Sequence, residues 1–110
     1  MNAPQQIGFH EATVVRFCRY DTNLQLELAD VLVGGRKSRV VLTVSPVLKV
    51  MVDAKLSNSP LMEADDGEIL TLEMSENTLS LIIEWNDFLH GRSFTKSYQV
   101  LGGEVTILIV

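Results

Sequence analysis

The chain has 110 residues, of which 46% are hydrophobic and 21% are charged, and its formal net charge is −5. This length suits one domain with its own core, and the composition is close to the globular average, which excludes a disordered or collagen-like chain. We expect residues 1–110 to form a single domain, with residues 1–6 as a flexible tail. An acidic chain lacks the Lys and Arg surplus that neutralises phosphates, so nucleic acid is not the expected partner.

Apolar and polar residues alternate in the first half of the chain, at residues 23–28 and 39–45. Alternation with period 2 is typical of a half-buried strand, because successive side chains point to opposite faces. Turn residues at 21–23 and 34–37 separate these strands from their neighbours. The residues predicted to face the core are Leu24, Leu26, Leu28, Val40, Leu42 and Val44.

The segment after the third strand is ambiguous. Pro46 either ends that strand or marks a bulge, because proline cannot donate to a strand ladder. Residues 47–54 fit both a helical stripe and a strand, and their β-branched residues favour the strand. Residues 55–67 predict a long polar loop, with Pro60 and Gly67 among its structure-breaking residues.

Four further strands are predicted in the second half, at residues 68–75, 79–85, 94–101 and 105–110. Their inward residues are expected to be Leu70, Leu72 and Met74 in the first, and Leu79, Leu81, Ile83 and Trp85 in the second. Ser75–Thr78 and Gly102–Gly103 are predicted as hairpin turns.

About eight strands with hairpin-length connections predict an all-β fold, either an antiparallel β-sandwich or a curled, barrel-like sheet. The last strand, residues 105–110, is apolar on both faces and carries no charge. We expect it either to lie between neighbouring strands or to be covered by a partner.

Two features of the first half resemble catalytic groups. His10 beside Glu11 has the composition of a general base with its orienting carboxylate. Neighbours in a strand point to opposite faces, however, so a structural histidine bonded to the backbone is favoured. Cys18 is the single cysteine, which excludes an intramolecular disulfide, and it is interpreted as a small, half-buried apolar residue.

The second half carries the candidate binding residues. Acidic residues cluster at 63–68, but their spacing differs from that of a calcium loop, so a solvated acidic loop is favoured and neither metal nor cofactor is predicted. The alternation places Trp85 in the core and leaves Phe88 and Leu89 exposed, with Asp87 and His90 paired across the loop. No catalytic residue is assigned, and the contact candidates are Glu63, Asp65, Asp66, Trp85, Phe88 and His90.

Charge is distributed unevenly between the two halves. Residues 1–55 hold seven Lys and Arg against five Asp and Glu, whereas residues 56–110 hold two against nine. An acidic half of this kind favours a basic protein partner, because complementary charge accelerates encounter.

The opening residues 9–15, followed by the alternating segment 23–28, resemble small and mostly uncharacterised bacterial β proteins. These proteins begin with Phe-His-Asp-Ala or Phe-His-Asp-Ser, and here Phe9, His10 and Glu11 take the corresponding places, with glutamate instead of aspartate. The segments 44–50 and 82–85 are also similar, although Pro46 replaces a residue that is often aromatic or apolar. Some proteins of this kind are toxin-immunity proteins, and the resemblance implies binding rather than catalysis.

We therefore expect a small bacterial protein-binding module of the immunity or accessory type, without catalytic activity. Residues 1–6 lack the features of a secretory signal, and no run of 18 apolar residues occurs, so a cytoplasmic chain without membrane contact is expected. One alternative is a homo-oligomeric structural protein, with a homodimer closed through the last strand or another strand edge. The other is a metal-dependent enzyme in which His10, His90 and nearby carboxylates converge.

Overall fold

A computed structural model describes residues 7–57 and 61–110, which form an antiparallel β-barrel. Six strands close the barrel in the order β2-β3-β4-β8-β7-β6, and β1 and β5 add short pairings to β3 and β4. The all-β prediction is confirmed in its barrel-like form, whereas the predicted tail at residues 1–6 lies outside the described residues. The eight strands of the described ranges are β1 (Ile7–Gly8), β2 (Thr13–Tyr20), β3 (Asn23–Val33), β4 (Arg36–Val52), β5 (Lys55–Leu56), β6 (Asp66–Met74), β7 (Thr78–Asp87) and β8 (Arg92–Ile109).

Alternating residues fill the interior of the barrel, as predicted for β3, for the first half of β4 and for β7. Trp85 is fully buried, and its indole N–H donates a hydrogen bond of 2.8 Å to the hydroxyl of Tyr98. The ring of Phe17 meets that of Tyr98 edge-on, with centroids 5.1 Å apart. Gly67 lies directly against the indole, because a Cβ there would approach Trp85 to 2.7 Å. The interior is therefore a packed core around Trp85.

The prediction of a hairpin at Gly102–Gly103 is wrong, because β8 continues through both glycines. β4 pairs with β8 from Val40 to Val52, and the glycines lie beside Pro46 in this ladder. A Cβ on Gly103 would stand 2.6 Å from Pro46 Cδ, so these glycines permit a close approach instead of a turn. The strand interpretation of residues 47–54 holds as far as Val52, with a register shift between Val47 and Lys49.

The predicted facing of β6 is also wrong at its start. Ile69 is fully buried and Leu70 is only half-buried. Leu72 and Met74 lie on the predicted face, opposite the buried Leu81 and Leu79, although Met74 is 38% exposed. The register against β7 shifts between Ile69 and Thr71, which reverses the faces of the residues that follow. The predicted loop at 55–67 begins instead with the short strand β5, and β6 starts within it at Asp66.

Candidate protein-binding site

The four residues that join β7 to β8, together with Asp87 at the end of β7, form a tight turn, here called the hairpin tip. Asp87 accepts two hydrogen bonds from His90, one from the backbone N–H at 3.2 Å and one from the imidazole Nδ1 at 2.8 Å. Gly91 donates to the carbonyl of Phe88 and has a φ of +62°, which glycine adopts without strain. Phe88 and Leu89 are 78% and 88% exposed. The turn thus holds two large apolar side chains in solvent.

The hydrogen bond from His90 lowers the pKa of Asp87 below its ordinary value, and the guanidinium of Arg92 at 3.8 Å acts in the same direction. A carboxylate with a depressed pKa stabilises its surroundings above its unfolded pKa, and this contribution is lost as pH falls through the folded pKa. The contribution of the Asp87 carboxylate to the tip is therefore present at neutral pH and is lost only in acid, because its pKa lies below the ordinary aspartate value.

Three acidic side chains lie beside the tip and are here called the acidic flank. Glu63 contacts Lys96 of β8 at 2.9 Å, and Asp66 accepts a hydrogen bond of 2.7 Å from the amide of Asn86. Asp65 is exposed and has no polar partner among the described residues. The flank is therefore tied to β7 and β8 at two points, and Asp65 offers an uncompensated charge.

A cleft of about 220 Å³ separates the acidic flank from the hairpin tip. Apolar and acidic groups meet in this cleft, which is the combination expected for docking a surface that carries both aliphatic and cationic side chains. The residues that line it are Glu63, Ala64, Asp65, Asn86, Asp87, Phe88 and Leu89.

The structure brings together five of the six residues proposed as contacts: Glu63, Asp65, Asp66, Phe88 and His90. Trp85 requires a correction as a contact residue, because its side chain is fully buried beneath them, in agreement with the alternation of β7. The sequence interpretation missed Asn86 and Lys96, which fasten the flank. Asn86 and Lys96 reach the flank because β7 and β8 lie next to it in the fold, and the alternation of apolar and polar residues does not show which strands are neighbours.

Phe9, His10 and Glu11 lie elsewhere, at the seam between β2 and β6. β2 and β6 pair at Thr13 and Glu68, and the preceding turn extends this contact. Glu11 N–H donates to the carbonyl of Ile69 at 2.8 Å, Ile69 N–H donates to Ala12 at 2.8 Å, and His10 Nδ1 lies 2.9 Å from the carbonyl of Leu70. The motif thus closes the barrel, which agrees with the structural interpretation of His10.

The two histidines do not form one centre. His10 contacts Leu70, which lies beside Ile83 of β7 in the ladder, whereas His90 binds Asp87. Asp87 is four residues beyond Ile83, roughly 13 Å along the strand. Within residues 7–57 and 61–110, no three His, Cys, Asp or Glu side chains are grouped so as to hold a metal ion.

A wider groove of about 390 Å³ crosses the outer face of β6, β7 and β8. Its polar side chains include Glu73, Ser80, Ser97 and Gln99, spread over three strands. It lacks exposed aromatic anchors and the paired carboxylate and imidazole found at the hairpin tip. The tip and the acidic flank are therefore the stronger candidate site.

Comparisons with protein-family models, with curated proteins and with solved structures found no match to the chain. In the described part of the chain, no helix has the length and apolar character needed to cross a membrane. Function is therefore inferred from the residues of the hairpin tip and the acidic flank.

Proposed function

We propose that this chain is a non-catalytic module that binds a basic protein through the hairpin tip and the acidic flank. The observation that carries the proposal is the pair Phe88 and Leu89, held 78% and 88% exposed on a turn fixed by Asp87 and Gly91. Exposing two large apolar side chains side by side is unfavourable in water unless a partner covers them. A fixed turn also reduces the conformational entropy lost on binding.

The charges around the tip indicate the chemistry of the partner. Carboxylates of the acidic flank and of Asp87 outnumber the cationic side chains that contact them, Lys96 and Arg92. A partner surface rich in Lys and Arg would meet these carboxylates around an apolar centre. Such an arrangement accelerates association and disfavours acidic partners.

The resemblance of the opening motif to bacterial β proteins, some of them toxin-immunity proteins, supports a blocking role within this proposal. In that role the tip covers a basic surface of a toxin and prevents its substrate from reaching it. Cys18 is a free thiol, which fits a reducing, cytoplasmic setting.

Affinity capture with matched variants tests the proposal. The test variant is Phe88→Ser with Leu89→Ser, and the control is Leu48→Ser with Leu56→Ser, whose parent side chains are 71% and 73% exposed away from the tip. We expect the wild-type chain and the control to retain a common basic protein that the tip variant loses. Retention of the same proteins by all three chains would show that the tip is not the binding surface.

A further inference from the structure

The second half of β8 has an open backbone edge. β7 pairs with β8 up to Leu101, and the turn before β7 continues the contact to Val105, whose N–H donates to the carbonyl of Glu76 at 2.9 Å. Beyond Val105, no strand in residues 7–57 or 61–110 pairs with that side of β8. Residues 106–110 are here called the open edge.

The direction of the backbone groups follows from the bonds at either end of this segment. Val110 N–H donates toward β4, to the carbonyl of Arg39 at 2.9 Å, whereas Val105 N–H points the other way. Alternate residues of an antiparallel strand direct their N–H and C=O groups to opposite sides. Ile107 and Ile109 therefore present both groups to the open side.

The side chains of these two residues extend the core to the open edge. Ile107 lies opposite Leu42 and Ile109 lies opposite Val40, and both β4 residues are fully buried. Paired residues share a face of the sheet, so the isoleucines belong to the core layer, yet they are 37% and 41% exposed. On the other face, Leu108 is 62% exposed. The core layer thus ends without a neighbour on this side.

Charge and length distinguish this edge from other exposed strands, since β1, an edge strand without a charged residue, has only two residues. Strand β2 carries Arg16 and Arg19, β5 carries Lys55 and β6 carries Glu73, and charged residues on edges oppose pairing between molecules. The sequence has no charged residue after Glu104. Two copies that each carry a net charge of −5 repel each other overall, so an uncharged strand is where they approach at least cost.

We propose that the open edge pairs antiparallel with the open edge of a second copy of this chain, around a two-fold axis at Leu108. In this register Ile107 lies opposite Ile109 of the second copy, and each such pair exchanges both of its backbone hydrogen bonds. Leu108 faces its own counterpart on the outer side. The pairing joins the two core layers and places no charged side chains opposite each other.

Sedimentation velocity over a range of concentrations tests the association. We expect the full chain to form a dimer of twice 12.2 kDa. Leu108→Lys places two ammonium groups opposite each other and should raise the dimer dissociation constant by about tenfold or more. Leu48→Lys, at an exposed position elsewhere on β4, should leave it unchanged. Native Trp85 fluorescence in both variants verifies that the barrel is intact.

Disulfide trapping tests the register in a Cys18→Ser background. Directly opposed residues outside the hydrogen-bonded pairs have Cα atoms about 4.5 Å apart, within the range of a disulfide. Leu108→Cys should therefore cross-link to itself on oxidation. Thr106→Cys should not, because in this register its two copies lie roughly 13 Å apart along the strands.

Three results would overturn the proposal: a wild-type chain that stays monomeric at every concentration, a Leu108→Lys variant that dimerises normally, or equal cross-linking at positions 106 and 108. If the chain stays monomeric and position 108 cross-links to a different protein in lysate, the open edge pairs with a strand of that protein, and the dimer proposal is overturned in this way too. The tip variant Phe88→Ser with Leu89→Ser should dimerise like the wild type, which separates this proposal from the proposed function.

Discussion

At the scale of single residues, the buried pair Trp85 and Tyr98 shows how polar atoms are accommodated in the core. The indole N–H donates to the phenol oxygen at 2.8 Å, so neither group is left unpaired in the interior. Burial raises the pKa of Tyr98 to about 12, because a phenolate inside the barrel would lose its solvation.

Tyr98→Phe should lower the free energy of unfolding at neutral pH by about 1–3 kcal/mol, because the indole N–H loses its acceptor. The raised pKa predicts a pH dependence as well. The protonated, neutral form of Tyr98 is favoured in the folded state. Its contribution to the free energy of unfolding is fully present below the unfolded pKa of 10.0 and is lost as pH rises toward about 12. Denaturant unfolding of both chains across this range should show their stability difference shrinking with pH. A constant difference would contradict the assignment.

The hairpin tip depends on a single glycine conformation. Gly91→Ala should lower stability by about 1 kcal/mol, because alanine is strained at a φ of +62°. It should also weaken partner binding by disturbing the backbone that carries Phe88.

Gly34→Ala is a matched control for this substitution. Its φ of +58° is similar, and at neither glycine would a Cβ meet another atom within 4 Å. Thermal unfolding should show comparable losses for the two variants, whereas binding should fall only for Gly91→Ala. Equal binding by both variants would argue against a role for the tip geometry.

At the scale of secondary-structure elements, the seam between β2 and β6 is where the barrel closes with the fewest ladder pairs. The opening turn supplies the additional bonds, from His10 to the carbonyl of Leu70 and between Glu11, Ala12 and Ile69. The His10–Glu11 pair, whose composition resembles a general base with its carboxylate, therefore helps to close the barrel.

His10→Ala should loosen this seam without unfolding the barrel. The loss of one exposed hydrogen bond costs about 1 kcal/mol or less. Hydrogen exchange should accelerate at the amides of Glu11 and Ile69, while exchange at Leu26, in the middle of β3, should stay slow. Unchanged exchange at the seam would show that the imidazole contact does not hold it.

The sequence predicted the strands wherever alternation is uninterrupted, as in β3 and β7, because period 2 follows directly from backbone geometry. It failed at Leu70, where a register shift reverses the faces, and at Gly102, where close packing against Pro46 replaces a turn. Both features depend on the partner strand. Part of the site was predictable as well, since Phe88 and Leu89 fall where the alternation of β7 ends.

At the scale of the whole molecule, the two proposed binding surfaces lie apart. The acidic flank and the hairpin tip lie where β7 turns into β8, while the uncharged open edge occupies the other half of β8. A single long strand thus links two surfaces of different chemistry. The proposals assign a basic protein to the first surface and a second copy of the chain to the second.

Charge reversal at Asp65 should slow association with a basic partner. Asp65→Lys removes the exposed carboxylate that lacks a described partner, so the fold loses little while the attraction is reduced. Stopped-flow or biosensor measurements should show a slower association rate, a nearly unchanged dissociation rate and a weaker dependence on salt. Adding Asp66→Lys should enlarge the effect but also break the bond to Asn86. An unchanged association rate would exclude electrostatic steering by the flank.

Site-specific photocross-linking in cells tests the binding role of the tip most directly. A photoreactive phenylalanine analogue is placed at position 88 in one chain and at position 48, an equally accessible site on β4, in another. The proposed function predicts a covalent adduct with a basic protein from position 88 and none from position 48. The same adducts from both positions, or no adduct from position 88, would contradict it.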